Sequence, residues 1–290
     1  MNSSHEHQTH IDIGSQKLGY RVTGSGPDIL LIHGWPLNRE TWRNVVPNLG
    51  DYRCHLIDLP GSGTSDTPSD VEVSFTGHIN AVIAAIEALE LDSVVLVGHD
   101  SGGLVARNIA VQLPETVTGL ILAGTEIPGH HSEFIDRLRL QMKLPGAPAI
   151  AKALMKNRKA ARSQQLLGGL FWDRDLIEGD FRSKVLDPTL DDPAIFKRQL
   201  DVLFSYTHDV VDALESVHRQ ITVPSMLVWG ELDGFFPVEL AREMLDQFSG
   251  PTQFEVLTGA RLLVHEEHPD RFAELISDFM IERAPTDALS

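Results

Sequence analysis

One short segment limits the possible folds of this chain more than any other. Ser93–Val97 is a run of β-branched and apolar residues typical of a buried strand, and Leu104–Leu113 has the pattern of a helix. Between them lies the sequence Gly98-His99-Asp100-Ser101-Gly102, followed by Gly103. Glycines on both sides of Asp100 let the chain turn sharply and lift one side chain above the sheet. The segment therefore predicts an α/β fold with a carboxyl group at a strand end.

The remaining chain alternates in the same way. Further buried strands are predicted at Asp28–Ile32, Cys54–Ile57, Gly119–Ala123, Pro224–Trp229 and Thr252–Leu257, and helices at 42–49, 81–89 and 269–281. This alternation predicts a mostly parallel sheet covered by helices on both faces. From about Pro128 to Val217 only helical patterns occur, which indicates an inserted helical cap. We expect a flexible tail over 1–10, a core over 11–127 and 218–290, and a cap over 128–217.

Composition narrows the classes of partner. The 290 residues carry a formal net charge of −17, which disfavours nucleic acid and anionic lipid as partners. Cys54 is the one cysteine, so neither a disulfide nor a cysteine metal cluster is expected, and the sequence suggests no cofactor. The polar start of the chain lacks a signal-peptide pattern, and no apolar run reaches the length of a membrane span. We expect a cytoplasmic protein with a small-molecule substrate; a homodimer is left open.

Aspartate at the apex of the turn indicates a particular chemistry. A carboxylate that is ionised at neutral pH needs no base to attack carbon, and it can form an ester on itself. A serine at this position would suit acyl transfer instead. The alternative is that Asp100 only packs there or stabilises the start of the following helix.

Together with His33-Gly34-Trp35-Pro36, the segment 98–102 resembles the nucleophile elbow of the α/β-hydrolase superfamily, in its epoxide hydrolase and haloalkane dehalogenase branch. The resemblance implies an eight-stranded, mostly parallel sheet with an inserted helical cap. It implies that the backbone N–H groups of Trp35 and Ser101 form an oxyanion hole and that Asp233, after Val228–Leu232, is the catalytic acid. His33 is expected to contribute to substrate binding.

The same resemblance assigns no residue of this chain to the role of general base. In that family a histidine lies a few residues after the last strand, but Glu267 and Pro269 align Leu262 with it. Leucine cannot accept a proton, so hydrolysis of an Asp100 ester needs another explanation. His265 is one replacement, and a cap or loop histidine (His130, His131 or His208) is a second. In a third interpretation, Asp100 acts as a general base or a steering charge in a non-hydrolytic reaction.

Other parts of the family pattern are incomplete. Ser101 stands where dehalogenases of this branch have tryptophan or arginine, which lowers dehalogenation in rank. Tyr206 is the one cap tyrosine and is a candidate to hydrogen-bond an epoxide oxygen, although a packed aromatic is equally compatible. Trp172 and Phe171 are candidates to line an apolar pocket, with core packing as the alternative. Glu126 is an alternative acid or an ordinary loop carboxylate.

These observations lead to three functional hypotheses. The first is an epoxide hydrolase-like enzyme that acts on a small apolar molecule through an Asp100 ester, with Asp233, His265 and Tyr206 as the other catalytic candidates. The second is an isomerase, cyclase or lyase that uses Asp100 as general base. The third is a ligand-binding protein with impaired catalysis.

Overall fold

The computed structural model describes residues 9–282. Eight strands form one sheet in the order β1-β2-β4-β3-β5-β6-β7-β8. The two strands at the start of the chain pair antiparallel, and β3 to β8 run parallel. The mostly parallel eight-stranded sheet is thereby confirmed. The strands are β1 Thr9–Asp12, β2 Lys17–Thr23, β3 Asp28–Ile32, β4 Arg53–Ile57, β5 Val94–His99, β6 Val117–Ala123, β7 Ser225–Gly230 and β8 Thr252–Leu257.

Helices cover both faces of the sheet and its carboxyl edge. They are α1 Phe75–Ala88, α2 Ser101–Gln112, α3 Glu133–Met142, α4 Ala147–Lys156, α5 Arg158–Ala161, α6 Asp187–Asp191, α7 Pro193–Ser205, α8 His208–Asp212, α9 Leu214–His218, α10 Val238–Glu243, α11 Val264–Glu267 and α12 Pro269–Glu282. Short 3₁₀ turns and one π-helical segment, Phe181–Leu186, connect some of them. None of the helices within residues 9–282 is long and apolar enough to cross a bilayer.

The sheet has an apolar core on each face because successive strand side chains point in opposite directions. On β5, Leu96 packs in the core beneath α1 and α2, whereas Val95 and Val97 pack in the core that includes Phe272 of α12. All three β5 side chains are fully buried. This double burial explains why the strand reads as a continuous apolar run.

Between β6 and β7 the chain forms helices α3 to α9 and no strand within the described residues. We call residues 128–217 the helical insert. Two further apolar clusters attach it to the sheet domain: one joins Phe181 to Leu263, and the other joins Val202 and Tyr206 to Leu104 of α2. The insert therefore roofs the edge of the sheet at which Asp100 lies.

Three local predictions need correction. The segment 42–49, predicted as one helix, forms two 3₁₀ turns, Arg39–Trp42 and Val46–Asn48, and Pro47 within the second lacks the N–H that a continuing helix needs. Strands β1 and β2 were not predicted, because β1 buries only Ile11 and so gives little hydrophobic signal. Thr9 and His10 belong to β1 rather than to a tail, while the rest of the predicted tail lies outside the described residues.

Candidate active site

The elbow places Asp100 at a strained turn between β5 and α2. Asp100 has φ 51° and ψ −132°, a region that residues other than glycine rarely adopt. Its backbone N–H donates to the carbonyls of Ala123 and Gly124, both at 3.1 Å. A Cβ on Gly102 would lie 2.4 Å from the Ile32 carbonyl oxygen, so only glycine permits this approach. The main chain thus fixes the position of the Asp100 side chain.

Both predicted oxyanion-hole donors converge on the Asp100 carboxyl group. The Trp35 N–H donates to Asp100 Oδ2 at 2.9 Å, and the Ser101 Oγ lies 3.0 Å from the same N–H. The backbone N–H and hydroxyl of Ser101 also hydrogen-bond this carboxyl. The structure therefore brings Asp100, Trp35 and Ser101 together as the sequence predicts.

The burial of Asp100 corrects the expectation that it is ionised at neutral pH. Burial raises the pKa of Asp100 to about 8, and the nearby Glu126 charge raises it further, while the Ser101 and Trp35 hydrogen bonds offset part of the rise. A carboxyl group with such a pKa is mostly protonated at pH 7. In the ligand-free cavity, attack by Asp100 first requires that its proton move elsewhere.

A second carboxyl group lies behind the elbow in a network centred on Arg107 of α2. The Arg107 guanidinium donates to the Thr125 hydroxyl at 2.6 Å, the Glu126 carbonyl at 2.9 Å and His218 Nε2 at 3.0 Å. It forms an ion pair of 3.6 Å with the Glu126 carboxylate. Burial raises the pKa of Glu126, and Arg107 offsets part of that rise. Arg107 thus stabilises the charge of Glu126, and Glu126 in turn acts on the pKa of Asp100.

Asp233, in the loop after β7, is a buried carboxyl with one unused oxygen. Its Oδ1 accepts the N–H groups of Phe235 and Phe236 at 2.8 and 3.0 Å, but Oδ2 has no hydrogen-bond partner within residues 9–282. Burial raises the pKa of Asp233 to about 7 despite those bonds. A Cβ built on Gly124 would meet Leu262 Cδ1 at 3.0 Å and Asp233 Oδ2 at 3.4 Å. Leu262 Cδ1 and the unpaired oxygen therefore both lie close to Gly124.

A cavity of about 230 Å³ opens above Asp100 between the sheet edge and the helical insert. Its walls are mainly apolar, with Leu138, Met142, Met155 and Leu203 from the insert and Leu262 from the sheet domain. The ionisable side chains on its wall are those of His99, Asp100, Glu126 and Tyr206. Such a cavity suits a small apolar molecule with one or two polar atoms.

Tyr206, at the end of α7, lies on the cavity wall as expected. Its ring packs edge-on against Phe75, and burial raises the pKa of its hydroxyl far above the usual range. The hydroxyl makes no hydrogen bond to any residue in the range 9–282. The Tyr206 hydroxyl therefore stays protonated and can donate a hydrogen bond to an oxygen atom of a ligand.

The structure does not bring His265 to the cavity. Residue 265 lies in the short helix α11, and its buried ring packs against His99 and Trp42 at centroid distances of 4.4 Å. His265 Nε2 lies 2.7 Å from the Thr41 hydroxyl, on the far side of the loop from Asp100. Because α11 begins only at Val264, residues 262 and 265 do not share a helical face, and the His265 ring is absent from the cavity wall.

Other predicted contributors also lie elsewhere. His33 is buried below the cavity, where Nδ1 donates to the Gly34 carbonyl and Nε2 accepts the Leu59 N–H, so it holds loops together. Trp172 is 59% exposed and does not line the cavity, whereas its neighbour Phe171 packs in the core against Phe181. The three candidate bases His130, His131 and His208 bond to Phe235, Asp212 and Asp136 respectively and are absent from the cavity wall.

Two wall residues escaped the sequence reasoning. His99, directly before Asp100, donates Nε2–H to the Leu262 carbonyl at 3.1 Å, and burial lowers its pKa to about 3. The side-chain amide of Gln199, on α7, donates to the Gly61 carbonyl, and the backbone carbonyl of Gln199 accepts the Trp35 indole N–H at 2.8 Å. The position of His99 inside the elbow was a usable signal; Gln199 had none, because its contacts depend on how the insert packs.

Comparisons with known proteins agree with this geometry. A family model described as the alpha/beta hydrolase fold matches residues 27–269. The chain is 30% identical over 277 residues to a pimeloyl-[acyl-carrier protein] methyl ester esterase of Yersinia pseudotuberculosis, covering 92% of this chain and 98% of the esterase. It is 26% identical over 298 residues to epoxide hydrolase 3 of Xenopus tropicalis, covering 97% of this chain and 80% of that protein.

Among solved structures, the epoxide hydrolase CorEH without ligand superimposes with a TM-score of 0.79 at 19% identity, covering 96% of this chain and 98% of that one. At this identity the likeness shows the fold alone. The match of the family model over most of the chain, the eight-stranded sheet and the elbow lead to one conclusion: this chain belongs to the α/β hydrolase fold family.

Proposed function

We propose that this protein opens a small apolar epoxide by attack of Asp100 on carbon and then hydrolyses the resulting ester to a diol. One observation carries the proposal: the Asp100 carboxyl, held at Oδ2 by the Trp35 N–H, lies on the wall of the same apolar cavity as the Tyr206 hydroxyl. Nucleophile and electrophile-polarising donor are the two parts that ring opening requires. The similarity to epoxide hydrolase 3 supports this assignment.

In the first half-reaction, an Asp100 oxygen forms a bond to a ring carbon as the carbon–oxygen bond breaks. The electron pair moves to the ring oxygen, where the Tyr206 hydroxyl donates a hydrogen bond. The carbonyl oxygen of the new ester keeps the hydrogen bonds from the Trp35 and Ser101 N–H groups. The alkoxide takes up one proton from the enzyme.

We assign that proton to Glu126. A hydroxyl group has a single proton, and the Thr125 hydroxyl already accepts from Arg107 while it lies 2.8 Å from both Glu126 Oε2 and the Asp100 carbonyl oxygen. All three bonds are satisfied at once only when Glu126 is protonated and donates to the Thr125 hydroxyl, which then donates to the backbone carbonyl of Asp100. With Glu126 protonated, its charge no longer raises the pKa of Asp100, which favours the ionised carboxylate that attacks.

The second half-reaction returns the proton. Glu126, ionised after the first step, takes a proton from water, and the hydroxide adds to the Asp100 carboxyl carbon. The ester bond breaks, and the leaving alkoxide takes the proton of the new Asp100 carboxylic acid and departs as the diol. Asp100 is then again a carboxylate, and Glu126 is again protonated. Epoxide and water enter and diol leaves, so the cycle balances without a histidine.

Intact-protein mass spectrometry after incubation with a panel of small epoxides tests the first step. We expect a covalent adduct on the peptide that contains Asp100 and diol in solution, and neither product with Asp100→Asn. Asp209→Asn, an exposed carboxyl of the insert, is the matched control and should behave as wild type. The absence of both adduct and diol in the wild-type protein would refute the proposal.

Glu126→Gln tests the second step on the same platform. Glutamine preserves the shape and can donate to Thr125, but it cannot accept a proton from water. We expect adduct to form more slowly than in the wild type, because glutamine cannot supply the proton of the first step, and then to persist while diol formation stops, with the exposed Glu133→Gln as control. Diol formation by Glu126→Gln at the wild-type rate would remove Glu126 from the cycle while leaving the Asp100 assignment intact.

A non-hydrolytic reaction is the second candidate, and two observations favour it. Leu262, which cannot accept a proton, lies close to Gly124, as does Asp233 Oδ2, and burial raises the pKa of Asp100 to about 8, which suits a general base near neutral pH. An isomerase, cyclase or lyase of this kind adds no water to its product. Turnover in ¹⁸O-labelled water separates the candidates, because label in the product or in Asp100 excludes this second mechanism.

A further inference from the structure

Exposed apolar side chains concentrate on one part of the helical insert. Nine large apolar residues are exposed within residues 9–282, and five of them lie between positions 134 and 154. On α3, α4 and the turn between them, these include Leu140 at 68%, Leu144 at 60%, Ile150 at 63% and Leu154 at 44% exposure. We call the surface formed by these four residues the outer face. Apolar groups gathered in this way usually mark a surface with a partner.

The same two helices are apolar on their inner side as well. Leu138 and Met142 of α3 and Met155 of α4 line the cavity above Asp100. A surface helix normally confines its apolar residues to the one stripe that faces the core. Helix α4 instead places apolar residues on both sides, and none of its residues is fully buried. The inward stripe is explained by the cavity, so the outer face requires a separate explanation.

The charge around the outer face has the opposite sign to that of the whole chain. Residues 137–162 contain eight lysines and arginines and no acidic residue, although the net charge of the chain is −17. Four of these cations form ion pairs with carboxylates of neighbouring segments. Within residues 9–282 the other four, Arg137, Lys143, Lys152 and Lys159, form no ion pair, and Lys143 and Lys152 lie over the rings of Phe204 and Phe196 of α7. A binding partner that matches this face carries negative charge and has an apolar layer into which the side chains of the outer face can insert.

We propose that the outer face docks on an anionic lipid surface, with its four apolar side chains at the boundary between headgroups and acyl chains. Lysine and arginine side chains around a shallow apolar group are the pattern that binds such an interface. The expectation from net charge, that anionic lipid is not a partner, is based on the average surface, whereas residues 137–162 are locally basic. Because the inner side of α3 and α4 is the cavity wall, an apolar substrate dissolved in lipid would reach Asp100 by passing this helix pair.

Vesicle flotation with the full-length protein tests the proposal directly. We expect binding to phosphatidylcholine vesicles that contain phosphatidylglycerol, weaker binding to phosphatidylcholine alone, and loss of binding at high salt. The double variants Ile150→Ser/Leu154→Ser and Lys152→Glu/Lys159→Glu should each weaken binding by on the order of tenfold or more.

Two control variants carry one substitution of each kind, Ile→Ser and Lys→Glu, outside the outer face. Ile281→Ser removes a side chain that is 64% exposed on α12, and Lys17→Glu reverses an exposed charge on β2. Both should bind vesicles as the wild type does. The proposal is overturned if wild-type protein does not float with the anionic vesicles or if the controls lose binding equally. It is also overturned if analytical ultracentrifugation shows a dimer that Ile150→Ser/Leu154→Ser converts to a monomer, because the outer face would then bind a second copy.

Discussion

Replacing Leu262 by histidine tests the site most directly, because the structure already contains the partner that such a histidine needs. Among the described residues, Asp233 Oδ2 is buried without a hydrogen-bond partner, and both this oxygen and Leu262 Cδ1 lie close to Gly124. An imidazole N–H that donates to this oxygen would remove an unsatisfied polar atom worth about 1–3 kcal/mol. That gain is similar to the roughly 2 kcal/mol lost when the leucine side chain no longer buries its methyl groups. We therefore expect Leu262→His to fold with nearly wild-type stability.

The kinetic effect should be much larger than the effect on stability. A positioned general base contributes about 10²–10⁴-fold to proton transfer, so hydrolysis of the Asp100 ester should accelerate within that range. Single-turnover mass spectrometry measures the decay of the adduct separately from its formation, which should change little. Leu262→Gln is the control, since it can hydrogen-bond Asp233 but cannot act as a base. The reasoning fails if Leu262→His leaves adduct decay unchanged, or if Leu262→His/Asp233→Asn keeps the whole acceleration.

Three further predictions follow from the same geometry. The rate of adduct formation should rise about tenfold per pH unit below the Asp100 pKa of about 8, because only the ionised carboxylate attacks; a pH-independent rate would contradict this prediction. The folded state holds the Asp233 proton up to about pH 7, whereas an unfolded aspartate releases it near pH 4. The free energy of unfolding of the wild type should therefore fall, relative to that of Asp233→Asn, by roughly 2–4 kcal/mol as the pH rises from 4 to 7. Urea denaturation measures this difference, and parallel pH profiles of the two proteins would refute the prediction. Phe171→Ala should lower the free energy of unfolding by about 3–5 kcal/mol, because the ring is buried. Trp172→Ala, at an exposed side chain, should lower it by less than about 1 kcal/mol and leave the affinity for substrate unchanged. Thermal melts and KM values check these two expectations.

Sequence reasoning succeeded where a residue's position follows from its own strand. Asp100, Trp35 and Asp233 each come within a few residues of the end of a parallel strand, and the carboxyl ends of neighbouring parallel strands share one edge of the sheet. The contact between Trp35 and Asp100 therefore needed only the strand assignment and the glycines of the elbow.

It was less successful where orientation or environment depends on distant packing. Whether His265 faces Asp100 depends on where α11 begins, and the spacing of three residues from Leu262 fits a helical and an extended loop equally. The burial of Glu126 depends on Arg107, which comes from α2. The raised pKa of Asp100 depends on the apolar roof that the helical insert supplies. None of these long-range contacts leaves a pattern in the local sequence.

The way in which the elbow holds Asp100 also affects how robust the site is to substitution. Trp35 and Ser101 each reach the Asp100 carboxyl through a backbone N–H, and Trp35 does so at 2.9 Å. A point substitution at either position changes the side chain and leaves the backbone donor in place, with proline as the exception. The parts supplied by side chains, such as the group at position 262, can instead be lost in a single codon change. The two donors that hold the carboxyl group thus depend on the course of the main chain, and ordinary side-chain substitution does not remove them. Replacing the backbone amide of Trp35 or Ser101 by an ester linkage would remove the donor.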